Sequence, residues 1–342
     1  MEKYIEQLID ISQYAGQRVD YTQGGGGNTS VKSDDARFMF IKASGYKLKE
    51  VSKSNAFVCV DQKKIFNFYN SKEANDGCDH EEESSKLAKT SVIEVAGAPL
   101  LRPSVEVGFH SILKKYVIHT HSIYANIIAC SVQGEDIANS IFTNKDYGFV
   151  FLPYINPGFE LTIAMKNAIE KYSEQYGKFP QVIFMKNHGL VVTADSLEMV
   201  KEIHTDVNLS IIKHFGLNDD LQSICLEQTE NGFVSNTNIV KSFVKDYGLN
   251  LEFLSKYPLY PDQLVYLNNT VYNSPDSLVV KNGKVFYNTD IKQATTLEET
   301  LSAYAFVIKT IKEKGLDISL MSDKDVAFIN GWEAEKYRKS IK

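Results

Sequence analysis

The tripeptide His119-Thr120-His121 is the part of this sequence best suited to chemistry. It ends a short run rich in β-branched residues, and residues i and i+2 of a strand point to the same face. Two imidazoles on one face can share a metal ion at about 2.0–2.1 Å. The alternative is two polar side chains near the end of a strand. The spacing therefore predicts a candidate metal site, which needs support from other residues.

His188 and Glu106 are two further candidates for the same chemistry. His188 lies in Lys-Asn-His-Gly, between an apolar strand and a glycine. Such junctions often carry functional groups in α/β proteins. Glu106 follows Ser104 by two residues and is predicted in the first turn of a helix. Taken alone, His188 could be a turn residue bonded to backbone, and Glu106 could stabilise the helix dipole while Ser104 caps the helix.

A run of four glycines, residues 24–27, leads into Asn28-Thr29-Ser30 and predicts a loop with a polar end. Exposed backbone N–H groups in such a loop can bind an anion. The spacing matches neither the GxxxxGK[ST] phosphate loop nor the GxGxxG dinucleotide signature. A second pair, Ser44-Gly45, follows a predicted strand. By themselves these loops are more typical of flexible turns than of an anion site.

The elements that must position these residues alternate between helix and strand. Strands are predicted over residues 37–42, 56–60, 117–121, 181–186 and 189–193, with a hairpin at 279–287 because Asn282-Gly283 favours a type I′ turn. Helices are predicted over residues 3–17, 84–97, 104–113, 123–132, 159–176, 197–215, 294–314 and 323–340. This pattern predicts an α/β fold: an α/β/α layered domain with a central mixed sheet over residues 1–230, and a small α+β C-terminal module over residues 231–342.

Composition excludes several classes of function. The net charge is -6, from 43 acidic and 37 basic residues, which argues against a nucleic-acid partner. No stretch approaches the roughly 18 apolar residues of a membrane span, and the N-terminus has no apolar signal region. The four cysteines are scattered, so neither a disulfide framework nor a cysteine-based zinc site is expected. We therefore expect a cytoplasmic protein with reduced thiols.

The candidate motifs form an ordered set: GGGNTS, SG, PSVE, HTH and NHG. This set resembles the class II aldolase and adducin family over about residues 5–215. Three further stretches are similar to the aldolase half of bifunctional rhamnulose-phosphate aldolase/alcohol dehydrogenases: PYINPGFEL (153–161), YPDQLVY (260–266) and WEAEKYR (332–338).

The resemblance implies a role for each candidate residue. His119, His121 and His188 would bind a divalent metal ion, with Zn²⁺ expected first and Mn²⁺, Co²⁺ or Fe²⁺ also compatible. Glu106 would be the catalytic acid/base. The pocket for the substrate phosphate would be lined by Gly27, Asn28, Ser44, Gly45 and Ser104.

The implied reaction is reversible cleavage of a ketose 1-phosphate, similar to rhamnulose 1-phosphate, into dihydroxyacetone phosphate and an aldehyde. A tyrosine that donates a proton to the aldehyde oxygen is common in relatives, and Tyr147 and Tyr154 are alternatives for it. A homo-oligomer is expected, with a tetramer favoured. No NAD is expected, because the sequence has no nicotinamide signature and no counterpart of the dehydrogenase half.

Two departures from the family pattern stand out. Val105 takes the place of a second serine that many sugar-phosphate aldolases have, which removes one phosphate hydrogen bond. Gln263 follows Pro261-Asp262 where relatives tend to have histidine. The departure at Val105 bears on the phosphate site and on the identity of the substrate.

Three other functions are compatible with the same fold. A pentulose-phosphate 4-epimerase uses the same metal and bond cleavage, but family epimerases tend to have Asp where Glu106 stands. A sugar-phosphate dehydratase shares the histidines, so only a substrate test separates it. A non-enzymatic adducin-like scaffold is disfavoured, because such chains lose metal ligands and this one keeps all three histidines and Glu106.

Overall fold

The computed structural model describes residues 1–71, 80–218, 223–268 and 277–331. The strands are β1 Asn28–Lys32, β2 Phe38–Lys42, β3 Phe57–Asp61, β4 Val92–Ile93, β5 Tyr116–Thr120, β6 Phe149–Leu152, β7 Val182–Met185, β8 Gly189–Ala194, β9 Leu226–Thr229, β10 Gly232–Ser235, β11 Leu278–Lys281 and β12 Lys284–Tyr287. The helices are α1 Glu2–Gly16, α2 Gln62–Ser71, α3 His80–Thr90, α4 Val107–Ile112, α5 Ile123–Ala129, α6 Gly134–Phe142, α7 Phe159–Tyr176, α8 Leu197–Phe215, α9 Asn238–Tyr247, α10 Leu251–Lys256, α11 Pro261–Gln263, α12 Ile291–Glu313 and α13 Asp323–Gly331. A short 3₁₀ helix, Leu48–Glu50, and a π-helical turn, Leu264–Asn268, complete the regular elements described.

The first eight strands form one sheet in the order β4-β3-β2-β1-β5-β8-β7-β6. Every neighbouring pair is antiparallel except β6 and β7, which run parallel, so the sheet is mixed. Alternate residues of the strands face opposite sides. Met39 and Ile41 pack with α2, α3, α4 and α7, whereas Phe40 on the same strand packs with α1. Because α5 and α8 join α1 on that second side, the sheet lies between two helical layers, as predicted.

The remaining four strands form a second, antiparallel sheet in the order β11-β12-β10-β9. The helix α12 lies between this sheet and the first domain. Its Phe306 ring meets the ring of Tyr124 on α5 edge-on, with centroids 5.9 Å apart. One apolar core therefore runs through both parts of the chain. The strand β9 lies before the predicted boundary at residue 230 and pairs with β10 beyond it.

Most of the predicted elements are present. The helices α7 and α8 have the predicted bounds, and β11 and β12 form the predicted hairpin, with positive φ at Asn282 and Gly283. The predicted helix 323–340 is described as far as Gly331; the rest, including WEAEKYR, lies outside the described residues. Among the described residues, no helix is long and apolar enough to cross a membrane.

Two local predictions are wrong. The predicted polar end of the glycine loop, residues 28–30, belongs to β1, where these polar side chains are buried. The predicted helix 84–97 ends at Thr90, and the β-branched pair Val92–Ile93 forms β4 against β3 instead.

Candidate metal centre

The order of the strands brings the three histidines together. His119 lies in β5, and His121 follows the end of that strand. The neighbouring strand β8 begins at Gly189, directly after His188, and Leu190 pairs with Thr120. His188 therefore occupies the tight turn between β7 and β8 beside the end of β5. Asn187 takes a positive φ of 52° in this turn, a conformation that asparagine tolerates better than most residues.

The histidine cluster (His119, His121 and His188) has the geometry of a metal site. One nitrogen of each ring lies within 4.8 Å of the other two. The Nε2 atoms of His119 and His121 are 3.2 Å apart. Ligand atoms bound at 2.0–2.1 Å to one tetrahedral zinc ion lie about 3.3–3.4 Å from each other. The three imidazoles therefore fit the donor set of a divalent metal ion.

The hydrogen bonds at the Nδ1 atoms of these rings also support a metal site. His119 donates its Nδ1–H to the carbonyl oxygen of Leu190 at 3.0 Å, which leaves the Nε2 lone pair for a metal. The Nδ1 of His121 is 2.5 Å from Oδ2 of Asp262, a carboxylate acceptor. The Nδ1 of His188 is buried and has no hydrogen-bond partner among the described residues.

Glu106 lies directly against this cluster. Its Oε1 is 3.3 Å from Nε2 of His119 and 3.4 Å from Nε2 of His188. Burial opposes ionisation, but the two histidines outweigh it and hold the pKa of the Glu106 carboxyl well below its usual range. Burial also lowers the pKa of His119, but the charge of Glu106 outweighs it and gives a net raised pKa. Burial lowers the pKa of His188 to about 4, so this ring is neutral near pH 7. The site thus combines an ionised carboxylate with nitrogen donors and favours a cation.

The position of Glu106 depends on the short helix α4, which begins at the next residue. The backbone N–H of Glu106 donates to Oγ of Ser104 at 3.3 Å. At the other end of α4, the buried side-chain nitrogen of Lys32 donates to the carbonyl oxygens of His110 and Leu113 at 2.7 and 2.5 Å, and to that of Lys114 at 2.7 Å. This lysine fills the role of a C-terminal cap, because the last carbonyls of a helix have no partner within it.

The predicted phosphate-binding residues gather near the same end of the sheet. Asn28 begins β1 and pairs with His119, directly after Gly27. Ser44 and Gly45 follow β2, and the backbone N–H of Ser44 donates to the carbonyl oxygen of Arg102 at 3.0 Å. That contact places the Ser44-Gly45 turn close to Ser104.

The first half of the glycine loop contacts the C-terminal module instead. The N–H of Gly24 donates to Oε2 of Glu299 at 3.0 Å, and the N–H of Gly25 donates to the hydroxyl of Tyr266 at 3.1 Å. Lys47 also donates to Oε2 of Glu299, at 3.1 Å. These two amides are therefore engaged within the protein, and the predicted anion site is confined to the later part of the loop.

Sequence analysis missed Asp262, a residue of the C-terminal module that contacts His121 of the histidine cluster. The signal in the sequence is the Pro-Asp of YPDQLVY, which indicates a family resemblance but no role for the aspartate. The next residue, Gln263, stands where relatives tend to have histidine. Its side chain bonds to the backbone of its own module: it accepts from the N–H of Leu259 at 2.7 Å and donates to the carbonyl oxygen of Leu254 at 3.0 Å.

The two candidate tyrosines have partners away from the cluster. Tyr147 donates its hydroxyl to Asp206 at 2.9 Å, and Tyr154 donates to Asn156 at 3.2 Å. The choice between them therefore stays open.

Comparison with known proteins gives one family and several similar chains. The model of the Class II Aldolase and Adducin N-terminal domain matches residues 6–206. A Bacillus subtilis (strain 168) protein named "Uncharacterized oxidoreductase YuxG" is 28% identical over 206 residues, which are 58% of this chain and 27% of that protein. The match thus spans about a quarter of that relative.

Two solved structures are similar at low identity. The N-terminal class II aldolase domain of a conserved Thermoplasma acidophilum protein has a TM-score of 0.49 and 24% identity, over 61% of this chain and 92% of that one. An L-fuculose 1-phosphate aldolase has a TM-score of 0.42 and 21% identity, over 64% of this chain and 92% of that one. The family assignment depends on neither of them. Because the family model covers more than half of the 342 residues, the chain belongs to the class II aldolase and adducin family.

Proposed function

We propose that this protein is a metal-dependent aldolase that reversibly cleaves a ketose 1-phosphate into dihydroxyacetone phosphate and an aldehyde. The observation that carries the proposal is the position of Glu106, whose carboxylate lies 3.3 and 3.4 Å from two imidazoles of the histidine cluster. An acid/base group thus lies beside a set of metal donors. Membership of the family supports the proposal, since class II aldolases depend on a metal ion.

His119, His121 and His188 are the proposed ligands, and Zn²⁺ is the proposed ion. Neutral imidazoles leave a divalent ion its full charge, and three protein ligands are the usual number in catalytic zinc sites. When bound, the ion supplies a Lewis acid that polarises the substrate carbonyl. Two of the rings are held by hydrogen bonds at Nδ1, that of His119 by the carbonyl oxygen of Leu190 and that of His121 by Asp262, so these two need little reorganisation on binding.

Glu106 is the proposed acid/base. In the direction of synthesis it takes a proton from the carbon beside the carbonyl of dihydroxyacetone phosphate, and in cleavage it returns a proton to that carbon. The lowered pKa of Glu106 keeps it ionised near neutral pH, as a base requires. Glu106 is only 8% exposed, which limits the access of water to the proton being moved.

The substrate phosphate is proposed to bind among Gly27, Asn28, Ser44, Gly45 and Ser104. Support comes from their common location at the end of the sheet that carries His119. Anchoring the phosphate there would hold the reacting carbons against Glu106. We propose a sugar similar to rhamnulose 1-phosphate and a homo-oligomeric enzyme, with a tetramer favoured.

Metal analysis and a substrate panel test this proposal together. We expect about one divalent ion per chain, and release of dihydroxyacetone phosphate from one of L-rhamnulose, L-fuculose or D-fructose 1-phosphate. Metal without cleavage of any ketose 1-phosphate would contradict the aldolase. Interconversion of pentulose 5-phosphates would then indicate the epimerase, and loss of water from a thio-sugar phosphate the dehydratase. Protein without metal, purified under conditions that spare it, would indicate a scaffold.

Two ligand variants test the metal assignment. His119→Ala and His188→Ala should lose both the ion and the activity, because each removes one of the three nitrogen donors. His214→Ala is the matched control, since this histidine is exposed on α8. Metal retained in full by His119→Ala or His188→Ala would refute the assignment.

A further inference from the structure

Asp262 is a buried carboxylate that the C-terminal module directs at the histidine cluster. It lies in the one-turn helix α11 and is 2% exposed. Its Oδ2 is 2.5 Å from Nδ1 of His121, which is 141 residues away in the chain. A buried carboxylate needs a charged or hydrogen-bonded partner to offset the loss of water. Here that partner is a candidate metal ligand.

The contact with Asp262 determines the tautomer and the orientation of the His121 ring. An ionised carboxylate accepts a hydrogen bond, so the proton of His121 is held at Nδ1 and the lone pair at Nε2. That Nε2 faces Nε2 of His119 at 3.2 Å. Asp262 itself is on the Nδ1 side of the ring, away from the nitrogens of the other two donors. It therefore orients a ligand and is not itself one of the donors.

The turn that carries Asp262 is fixed from two sides. The side chain of Gln263 bonds the backbone at Leu259 and Leu254. The side-chain amide of Asn187, the residue before His188, donates to the carbonyl oxygen of Leu259 at 2.8 Å. The same turn is therefore tied to the loop that carries another of the histidines.

The glycine loop leaves space for this pair. A Cβ at Gly26 would lie 2.2 Å from Oδ2 of Asp262 and 2.7 Å from Nδ1 of His121. Real Cβ atoms essentially never approach other heavy atoms this closely. A residue without a side chain is thus required where the loop passes the His121–Asp262 contact.

We propose that Asp262 is a positioning residue that orients His121 and strengthens metal binding, so that the C-terminal module is part of the metal centre. The matched family domain ends at residue 206, so this carboxylate comes from outside it. The inference rests on the proposed metal site at His119, His121 and His188. Carboxylates that hold the outer nitrogen of a metal-bound histidine fix its tautomer and increase its basicity.

Asp262→Asn tests the proposal, because it keeps the shape of the side chain and removes its charge. We expect the dissociation constant for Zn²⁺, measured by competition with a chromophoric chelator, to rise about 10- to 100-fold. We also expect the visible absorption bands of the Co²⁺-loaded protein to shift, since the ligand field at His121 changes. Asp290→Asn is the matched control: Asp290 caps α12 through its Oδ1, and asparagine caps equally well. It should leave both readouts unchanged.

The outcomes separate this inference from the proposed function. If the unchanged protein binds no metal, or binds it without His119, the proposed function fails. If it binds metal and Asp262→Asn has the same affinity and the same Co²⁺ spectrum, the inference is overturned while the proposed function stands. Should Asp262→Asn not fold, Asp262→Glu gives a second test, because it keeps the buried negative charge but moves the carboxylate away from its present position at Nδ1 of His121. Weaker metal binding in that variant supports the role of Asp262, and unchanged affinity with an unchanged Co²⁺ spectrum overturns it.

Discussion

Glu106 contacts two rings of the histidine cluster. The three imidazoles nevertheless form a set of metal donors without it. Metal binding and proton transfer can therefore be separated by one substitution. Glu106→Gln keeps the size of the side chain but removes its capacity to accept a proton. We expect the rate of dihydroxyacetone phosphate release to fall about 10²- to 10⁴-fold, with metal still bound at saturating concentration.

The check on Glu106 is kcat together with metal stoichiometry on the same preparation. Glu174→Gln, on the exposed side of α7, is the control and should behave like the unchanged protein. Full activity in Glu106→Gln would remove this residue from the chemistry. Loss of both metal and activity would instead assign Glu106 to the donor set.

His204, which lies outside the candidate site, makes the free energy of unfolding depend on pH. It is buried on α8, with Nε2 2.8 Å from Oγ1 of Thr120 and Nδ1 3.1 Å from the hydroxyl of Tyr14. Burial lowers the pKa of His204 to about 3, from an ordinary value of 6.5. Between pH 6.5 and 3 the unfolded chain binds a proton that the folded protein does not. The free energy of unfolding should therefore fall, as the pH falls, by about 1.4 kcal/mol per pH unit from this group.

Urea unfolding of the unchanged protein and of His204→Gln between pH 7 and 4 measures this dependence. Other buried histidines contribute to the total slope, so the difference between the two proteins isolates His204. The variant should be less stable at pH 7 but lose stability more slowly as the pH falls. Equal slopes would mean that His204 titrates normally in the folded protein.

At the scale of elements, α4 is held by Ser104 before its first turn and by Lys32 at its end. Lys32→Met keeps the length of the side chain and leaves three carbonyl oxygens without their N–H donor. We expect the free energy of unfolding in urea to fall by roughly 2–3 kcal/mol. We also expect kcat to fall, because Glu106 precedes α4. Lys171→Met, exposed on α7, is the control. An unchanged kcat in Lys32→Met would show that Lys32 does not help to position Glu106.

Sequence analysis predicted best the elements whose two ends are marked by capping residues. The helix α8 is capped at its start by Ser196, whose hydroxyl accepts from the N–H of Met199, and at its end by Gly216, which has a positive φ. The strand β1 was missed because its polar residues resemble a loop. Thr29 is bonded to Ser12 and Ser30 to His110, so the polar groups are satisfied when buried. Those partners lie 17 and 80 residues away, and no local pattern indicates them.

The candidate site was predictable in part, from motifs and not from the ends of helices and strands. The histidines and Glu106 were found from an ordered set of motifs, and β5 and β8 bring them together. The carboxylate of Asp262 reaches His121 across 141 residues, through a module whose packing was not predicted. Contacts between distant segments depend on tertiary structure, and hydrophobic periodicity reports only on the element that contains it.

At the scale of the whole molecule, the C-terminal module and the first domain share hydrogen bonds as well as a core. Asn187 donates to the carbonyl oxygens of Leu259 and Ser319, both at 2.8 Å. Ser319 in turn donates its N–H to the carbonyl oxygen of Cys130 at 2.7 Å. These buried contacts surround the turn that carries His188. Separating the two parts would therefore expose apolar surface and also disturb the histidine cluster.

This arrangement predicts that the protein unfolds as one cooperative unit and that metal stabilises all of it. Calorimetry should give a single transition for both chelator-treated and Zn²⁺-loaded protein. At a free Zn²⁺ concentration of 100 times Kd, binding should add about 2.7 kcal/mol to the free energy of unfolding and raise Tm. His119→Ala should keep the single transition and lose the shift. Two separate transitions, with only one shifted by Zn²⁺, would contradict the shared core, because a module that unfolds on its own cannot gain stability from an ion bound at its neighbour.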